Sequence, residues 1–100
     1  MTRDEHLLVK LMEECAEVAQ RASKSLQFGS EEVQNGQFLN NKERLRTEVN
    51  DLLTVIKMLE EEGEFLESIS PFRVKAAMAL KRKKIQKYLD LSISLGRVQA

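Results

Sequence analysis

The stretch from Leu45 to Leu59, LRTEVNDLLTVIKML, constrains the fold most, because it is a regular amphipathic helix that carries a carboxylate on its apolar side. At roughly 100° per residue, its apolar side chains fill an arc of about 160°. Glu48 falls inside this arc, so a helix that buries the arc also buries an ionisable group. A bare buried carboxylate costs on the order of several kcal/mol or takes up a proton. We therefore expect Glu48 to have a partner. The arc consists of Leu45, Val49, Leu52, Leu53, Val55, Ile56 and Leu59.

The chain contains two pairs of carboxylates with the same spacing. Asp51 follows Glu48 by three residues and lies about 60° away, at the edge of the same helix face. In the earlier segment LLVKLMEECAEVAQRA, Glu14 lies at the margin of the apolar arc, and Glu17 follows three residues later. If the two helices pack side by side, the four carboxylates surround one pocket. They repel one another unless a cation lies between them, so the pattern predicts a divalent-metal site.

The residue types indicate which metal such a site would select. Carboxylate oxygens without histidine or cysteine at ligand spacing favour a hard cation, Mg²⁺ or Mn²⁺. A di-iron bundle needs Glu-x-x-His on its helices, and zinc is disfavoured for the same reason. The only histidine, His6, projects to the polar side of its helix. Magnesium held by a few carboxylates most often serves phosphate chemistry.

Composition excludes several classes of protein. Sixteen basic and sixteen acidic residues cancel, so no overall field attracts nucleic acid or an anionic membrane. No apolar run approaches the roughly 18 residues of a membrane span, and no signal peptide is recognisable. The single cysteine, Cys15, lies on an apolar helix face, where we expect it to be buried. These features predict a cytoplasmic protein with one domain over residues 1–100.

Capping signals divide the chain into three helices. Thr2 with Glu5, the pair Asn40-Asn41 and the pair Ser70-Pro71 are helix starts, and Gly63 is a helix stop. Three helices leave apolar surface uncovered, so we expect an all-α helical bundle completed by homo-oligomerisation into a four-helix arrangement. The predicted bounds are about Arg3 to Ser25, about Lys42 to Glu62 and from Pro71 onward, with a weakly patterned tail from Asp90 to Ala100 that is typical of a mobile end.

The long connection between the first two helices, SLQFGSEEVQNGQFLNN, contains two aromatic residues. A connection of this length in a small domain is usually functional or disordered. We expect Phe28 and Phe38 to pack onto the bundle, with stacking on a nucleotide base as the alternative.

The acidic pattern resembles a known family. Glu13-Glu14-x-x-Glu17, a long spacer, and Glu48-x-x-Asp51 within an apolar helix resemble the signature of the MazG-like all-α nucleoside triphosphate pyrophosphohydrolases. The resemblance extends over roughly Leu7 to Leu59. It implies an obligate helical homodimer or homotetramer that cleaves a nucleoside triphosphate between its α and β phosphates. The implied products are the monophosphate and pyrophosphate, and the implied role is cleansing of the nucleotide pool.

The resemblance also implies roles for single residues. Glu14, Glu17, Glu48 and Asp51 would bind Mg²⁺, with Mn²⁺ as a substitute. Water oriented by Glu13 or Glu17 would attack phosphorus in line. The lysine-rich segment from Lys81 to Tyr88 resembles the part of the family that contacts phosphates. The remaining substrate-binding candidates are Lys81, Arg82, Lys84, Lys87, Asn50 and Phe28.

Two alternatives stay open. The same acidic motifs occur in the related phosphoribosyl-ATP pyrophosphohydrolases, although the long loop favours that enzyme less. From a different class, the chain could be a non-catalytic helical oligomerisation or adaptor module. In that case its acidic residues would pair with the cationic segment of a neighbouring molecule, and its stability would respond to salt and not to the choice of divalent ion.

Overall fold

The computed structural model describes residues 1–100 and contains three helices and no strand, which confirms the all-α prediction. The helices are α1 (Arg3–Phe28), α2 (Asn41–Glu62) and α3 (Pro71–Ser94). The chain forms two compact units, Met1–Ser68 with α1 and α2, and Ile69–Ala100 with α3.

Local capping explains where α1 and α2 begin and end. The Thr2 hydroxyl accepts from the Glu5 N–H, while the Glu5 carboxylate accepts from the Thr2 N–H, which is a reciprocal capping box. Asn40 and Glu43 form the same box at the start of α2. Gly63 ends α2 at φ 79°, a left-handed conformation that glycine adopts without steric cost. The predicted helix starts are therefore confirmed, and α1 runs three residues beyond the predicted end at Ser25.

α1 and α2 pack as an antiparallel hairpin with a thin core. At one end the Arg3 guanidinium donates to the Glu62 carboxylate at 3.0 Å. At the other end the Asn41 side-chain amide donates to the Gly29 carbonyl at 2.9 Å. Leu7 and Leu59 are the only fully buried apolar residues.

The facing sides of α1 and α2 follow a repeat of four and three residues, which is the spacing of a coiled-coil seam. Charged residues occupy inner positions of both seams, so this interface is not purely hydrophobic. The buried and half-buried seam residues are Leu7, Leu11, Glu14, Val18, Arg21 and Ser25 on α1 and Asn41, Leu45, Glu48, Leu52, Val55 and Leu59 on α2.

The face of α1 that packs against α2 covers only part of the apolar arc predicted for this helix. Cys15 is exposed, so the prediction that it is buried is wrong. Met12 and Ala19, which belong to the same arc, are exposed as well. The arc is wide enough for two contacts, and α2 covers only the side that includes Glu14 and Arg21.

The connection between α1 and α2 is fixed by hydrogen bonds to the start of α2. The Asn41 N–H donates to the Glu32 carbonyl at 3.0 Å, and the Asn41 amide donates to the Glu32 carboxylate at 3.1 Å. Asn41 is only 1% exposed, so it anchors the loop from within the fold. Phe38 is 99% exposed, so the expectation that it packs onto the bundle is wrong. The hydrogen bonds of Asn41 therefore hold the loop without a packing contribution from the Phe38 side chain.

α3 begins as predicted, with the Ser70 hydroxyl accepting from the Arg73 N–H and Pro71 in the first turn. It continues to Ser94, well beyond the point at which the apolar pattern weakens. No residue of α3 is buried, and its large apolar side chains include Met78 and Ile85, which are exposed. No helix of the chain combines the length and apolar character that a membrane crossing requires.

Candidate functional site

Three carboxylates converge between α1 and α2. Glu14, Glu17 and Glu48 each place one carboxylate oxygen within 4.8 Å of the other two. Glu14 and Glu17 are adjacent on α1 because three residues make nearly one helical turn. Antiparallel packing brings Glu48 of α2 to the same level. We refer to these three residues as the carboxylate cluster.

Two oxygens of the carboxylate cluster are buried without a hydrogen-bond donor. Oε2 of Glu14 and Oε2 of Glu48 are both inaccessible and have no hydrogen-bond partner. Buried polar atoms are almost always paired, and an unpaired carboxylate oxygen is more costly than a neutral one. These oxygens therefore require a proton or a cation.

The pKa values of the carboxylate cluster reflect the same problem. Burial, followed by the charges of Glu17 and Asp51, raises the pKa of Glu14. Burial, followed by the hydrogen bond that a protonated carboxyl forms with Glu17 and by the charges of Glu17 and Asp51, raises the pKa of Glu48. A raised pKa means that the surroundings of the group destabilise its ionised form. A divalent cation reverses this balance because it stabilises the ionised form.

The remaining predicted acidic residues lie at the margin. Asp51 is exposed, but it is close enough to raise the pKa of both Glu14 and Glu48 through its charge. Glu13 points to solvent, where it forms an ion pair with Lys10 at 3.0 Å. The structure thus brings together three of the four predicted metal ligands, and the charges of Asp51 and Glu13 both act on Glu14 from the margin of the cluster.

The predicted substrate-binding residues belong to both units of the chain. Asn50 is exposed next to Asp51. Phe28 is 54% exposed at the end of α1, with the Lys24 ammonium 5.4 Å from its ring centre. The other candidates, Lys81, Arg82, Lys84 and Lys87, are exposed on α3 in the second unit.

A small cavity adjoins the carboxylate cluster on the loop side. Its volume is about 230 Å³, and its lining includes Glu48 from the cluster. Ligand pockets usually enclose about 300–1,000 Å³, so this cavity lies below the usual range. The lining consists of Gln37, Leu39, Arg44, Thr47 and Glu48.

Two buried polar residues near this region do not emerge from the sequence pattern. Arg21 is 7% exposed and Asn41 is 1% exposed, although arginine and asparagine are usually surface residues. The signal that identifies Arg21 is its spacing, because it follows Leu7 and Glu14 at intervals of seven residues. Asn41 carries no such signal, since its sequence neighbours are typical of a helix start.

The arrangement is suited to holding a proton or a small hard cation between two helices. Three carboxylates with oxygens within 4.8 Å of one another supply the type of ligand that Mg²⁺ and Mn²⁺ prefer. In comparisons with models of protein families, with curated proteins and with solved structures, no match to the chain was found.

Proposed function

We propose that this protein is a Mg²⁺-dependent nucleoside triphosphate pyrophosphohydrolase of the MazG-like kind, which converts a (d)NTP into the monophosphate and pyrophosphate. The observation that carries the proposal is the carboxylate cluster, in which two buried oxygens have no hydrogen-bond partner. Acidic residues on a solvated surface need no cation, whereas a carboxylate oxygen buried between two helices needs a cation or a proton. The sequence motifs that contain these residues support the same assignment.

The residues fit a magnesium ion. Glu14 and Glu48 would hold it through their buried oxygens, with Glu17 and the nearby Asp51 completing the acidic set. A bound Mg²⁺ supplies charge neutralisation for the phosphate oxygens at which negative charge develops. The chain offers no cysteine or histidine in the cluster, so softer metals are disfavoured.

Glu17 is the residue best placed to handle the proton of the attacking water. It belongs to the carboxylate cluster but is exposed, so it reaches both the cluster and the solvent. Water attacks the α phosphorus, the bond from that phosphorus to the bridging oxygen breaks, and Glu17 accepts the proton of the water. Pyrophosphate leaves with the bridging oxygen. Glu13 is the less suitable base, because it is paired with Lys10.

Homo-oligomerisation is part of the proposal. The cavity beside Glu48 is below the usual size of a ligand pocket, so the proposal calls for further surface to complete the substrate site. Exposed apolar side chains on α1 and α3, such as Met12, Met78 and Ile85, supply surface that a second copy would cover. The exposed lysines Lys81 and Lys84 are candidates for phosphate contacts in that assembly.

The decisive experiment is a product assay with the eight common (d)NTPs in millimolar Mg²⁺, with separate detection of pyrophosphate and orthophosphate. We expect pyrophosphate and monophosphate in equal amounts from at least one substrate. Replacement of the proton acceptor, Glu17→Gln, should lower kcat by about 10²–10⁴-fold. Glu48→Gln should abolish turnover by removing a ligand. Glu61→Gln is the matched control, because Glu61 is exposed on the same helix as Glu48.

The opposite result is equally clear. The enzymatic proposal would be refuted if no nucleotide gave product with Mg²⁺ or Mn²⁺ and if the folded protein showed no divalent-specific thermal stabilisation. Salt-dependent association without a divalent effect would then favour the adaptor module.

A further inference from the structure

Arg21 is a buried charge without a counter-charge in contact. It is 7% exposed, its Nη1 atom is inaccessible and without a hydrogen-bond partner, and it belongs to none of the three salt bridges of the chain. Burying a guanidinium in this way is strongly unfavourable unless an anion binds it. A residue that lowers stability at a seam position, where leucine would fit, indicates a function.

The position of Arg21 on α1 links it to the carboxylate cluster. It follows Glu17 by four residues, which corresponds to roughly 6 Å along the helix axis, and it points within about 20° of the direction of Glu14. Ser25 continues the same line one turn further. The Ser25 hydroxyl oxygen is also buried and without a partner. Two unpaired polar groups, Arg21 and Ser25, therefore follow the unpaired carboxylate oxygen of Glu14 along one side of α1.

The helix register places a second arginine at the same level. Arg3 contacts Glu62, and Glu17 approaches Glu48, so the residue numbers of facing positions add up to about 65. By this register Arg21 faces the turn of α2 that contains Arg44. The Arg44 guanidinium donates to the Gln34 side chain at 2.8 Å and lines the cavity that adjoins Glu48. The register therefore places Arg21 and Arg44 about one helical turn from Glu17 and Glu48.

We propose that Arg21, assisted by Ser25, binds a phosphate group of the substrate about one helical turn from the carboxylate cluster. Guanidinium groups bind phosphate through two parallel hydrogen bonds, and a buried one does so with little competition from water. A carboxylate cluster followed by a guanidinium is complementary in charge to a ligand in which a metal cation is bound to a phosphate chain. This inference rests on the proposed function, because it assigns a phosphate subsite to the same reaction.

The test measures binding of inorganic pyrophosphate to the full-length protein in a metal chelator, by calorimetry and by thermal shift against chloride at equal ionic strength. The variants are Arg21→Met and Arg21→Lys, and Arg46→Met is the matched control because Arg46 is exposed. We expect Arg21→Met to raise the unfolding temperature of the ligand-free protein, since it removes an uncompensated buried charge. Pyrophosphate should bind wild type and Arg46→Met equally. Both Arg21 variants should bind it at least about tenfold more weakly.

Arg21→Lys keeps the charge and loses the paired geometry, so it tests the site even if the methionine variant fails to fold. Equal pyrophosphate affinity in wild type and the Arg21 variants, or no binding to wild type, overturns the inference. The two proposals also fail separately. If pyrophosphate binds without metal in a way that depends on Arg21, but no nucleotide is turned over, the enzymatic proposal is refuted and the anion-site proposal is retained. If Arg21→Lys turns over nucleotide with an unchanged KM, the anion-site proposal is refuted and the enzymatic proposal is retained.

Discussion

Glu14 and Glu48 lie on different helices, and each buries one carboxylate oxygen that receives no hydrogen bond. Both belong to a cluster of carboxylate oxygens within 4.8 Å of one another. Ionised carboxylates only accept hydrogen bonds, so the two residues cannot satisfy each other. The contact between α1 and α2 is therefore weakest in the metal-free protein at neutral pH, where a cation would strengthen it.

The first prediction concerns the stability of Glu48→Gln. In chelator at pH 7.5, this variant should be more stable than wild type, because a neutral amide replaces a destabilised carboxylate and can donate to Glu17. Mg²⁺ at about ten times its Kd should stabilise wild type by about 1.4 kcal/mol and leave the variant unchanged. Urea unfolding with and without Mg²⁺ measures both effects. Glu61→Gln should behave as wild type, and a wild-type protein indifferent to Mg²⁺ would contradict the prediction.

The second prediction concerns the loop anchor. Asn41→Ala removes the donor to the Gly29 carbonyl and to the Glu32 carboxylate, and it leaves both acceptors partly buried. We expect a loss of about 1–3 kcal/mol in the free energy of unfolding, measured by urea denaturation. The exposed Asn35 is the control, and Asn35→Ala should change stability by less than about 0.5 kcal/mol. Equal denaturation midpoints for the two variants would show that the amide does not anchor the loop.

Helix starts and stops could be predicted from the sequence because capping is local. The boxes at Thr2 and Asn40, the serine–proline start at Ser70 and the left-handed Gly63 depend on residues within one turn of each other. The convergence of Glu14, Glu17 and Glu48 also follows from the sequence, since a helix spacing fixes two of them and burial of an amphipathic face directs the third.

The rotation of α1 could not be predicted in this way. An apolar arc reports which side chains favour burial and not which of them a partner helix covers, so Cys15 and Met12 are exposed while Glu14 is half-buried. The helical wheel also does not predict the burial of Arg21, because it assigns charged residues to the solvent-exposed side of a helix. Its burial follows from the seven-residue spacing of the seam, which is visible only once α2 is known to lie against that side.

The last prediction concerns a second pair of acids, Asp4 and Glu64, within the first unit. A hydrogen bond with Asp4, followed by burial and the charges of Asp4 and Glu5, raises the pKa of Glu64 above its usual value of 4.5. Oδ1 of Asp4 is buried and without a donor, which a proton shared with Glu64 would supply. The pair is thus a site that holds a proton in the folded state more tightly than in the unfolded state.

The sign of the pH dependence follows from that difference. A carboxyl group with a raised pKa in the folded state stabilises the fold below its unfolded pKa of about 4.5, and this contribution is lost as the pH rises through the folded pKa. Wild type should therefore lose more stability than Glu64→Gln between pH 4 and pH 7, because the amide keeps donating to Asp4. The difference between the two curves, from urea unfolding at each pH in chelator, cancels the titration of the carboxylate cluster. Glu67→Gln, which changes an exposed residue, should follow wild type. Parallel curves for wild type and Glu64→Gln would show that the two acids do not share a proton.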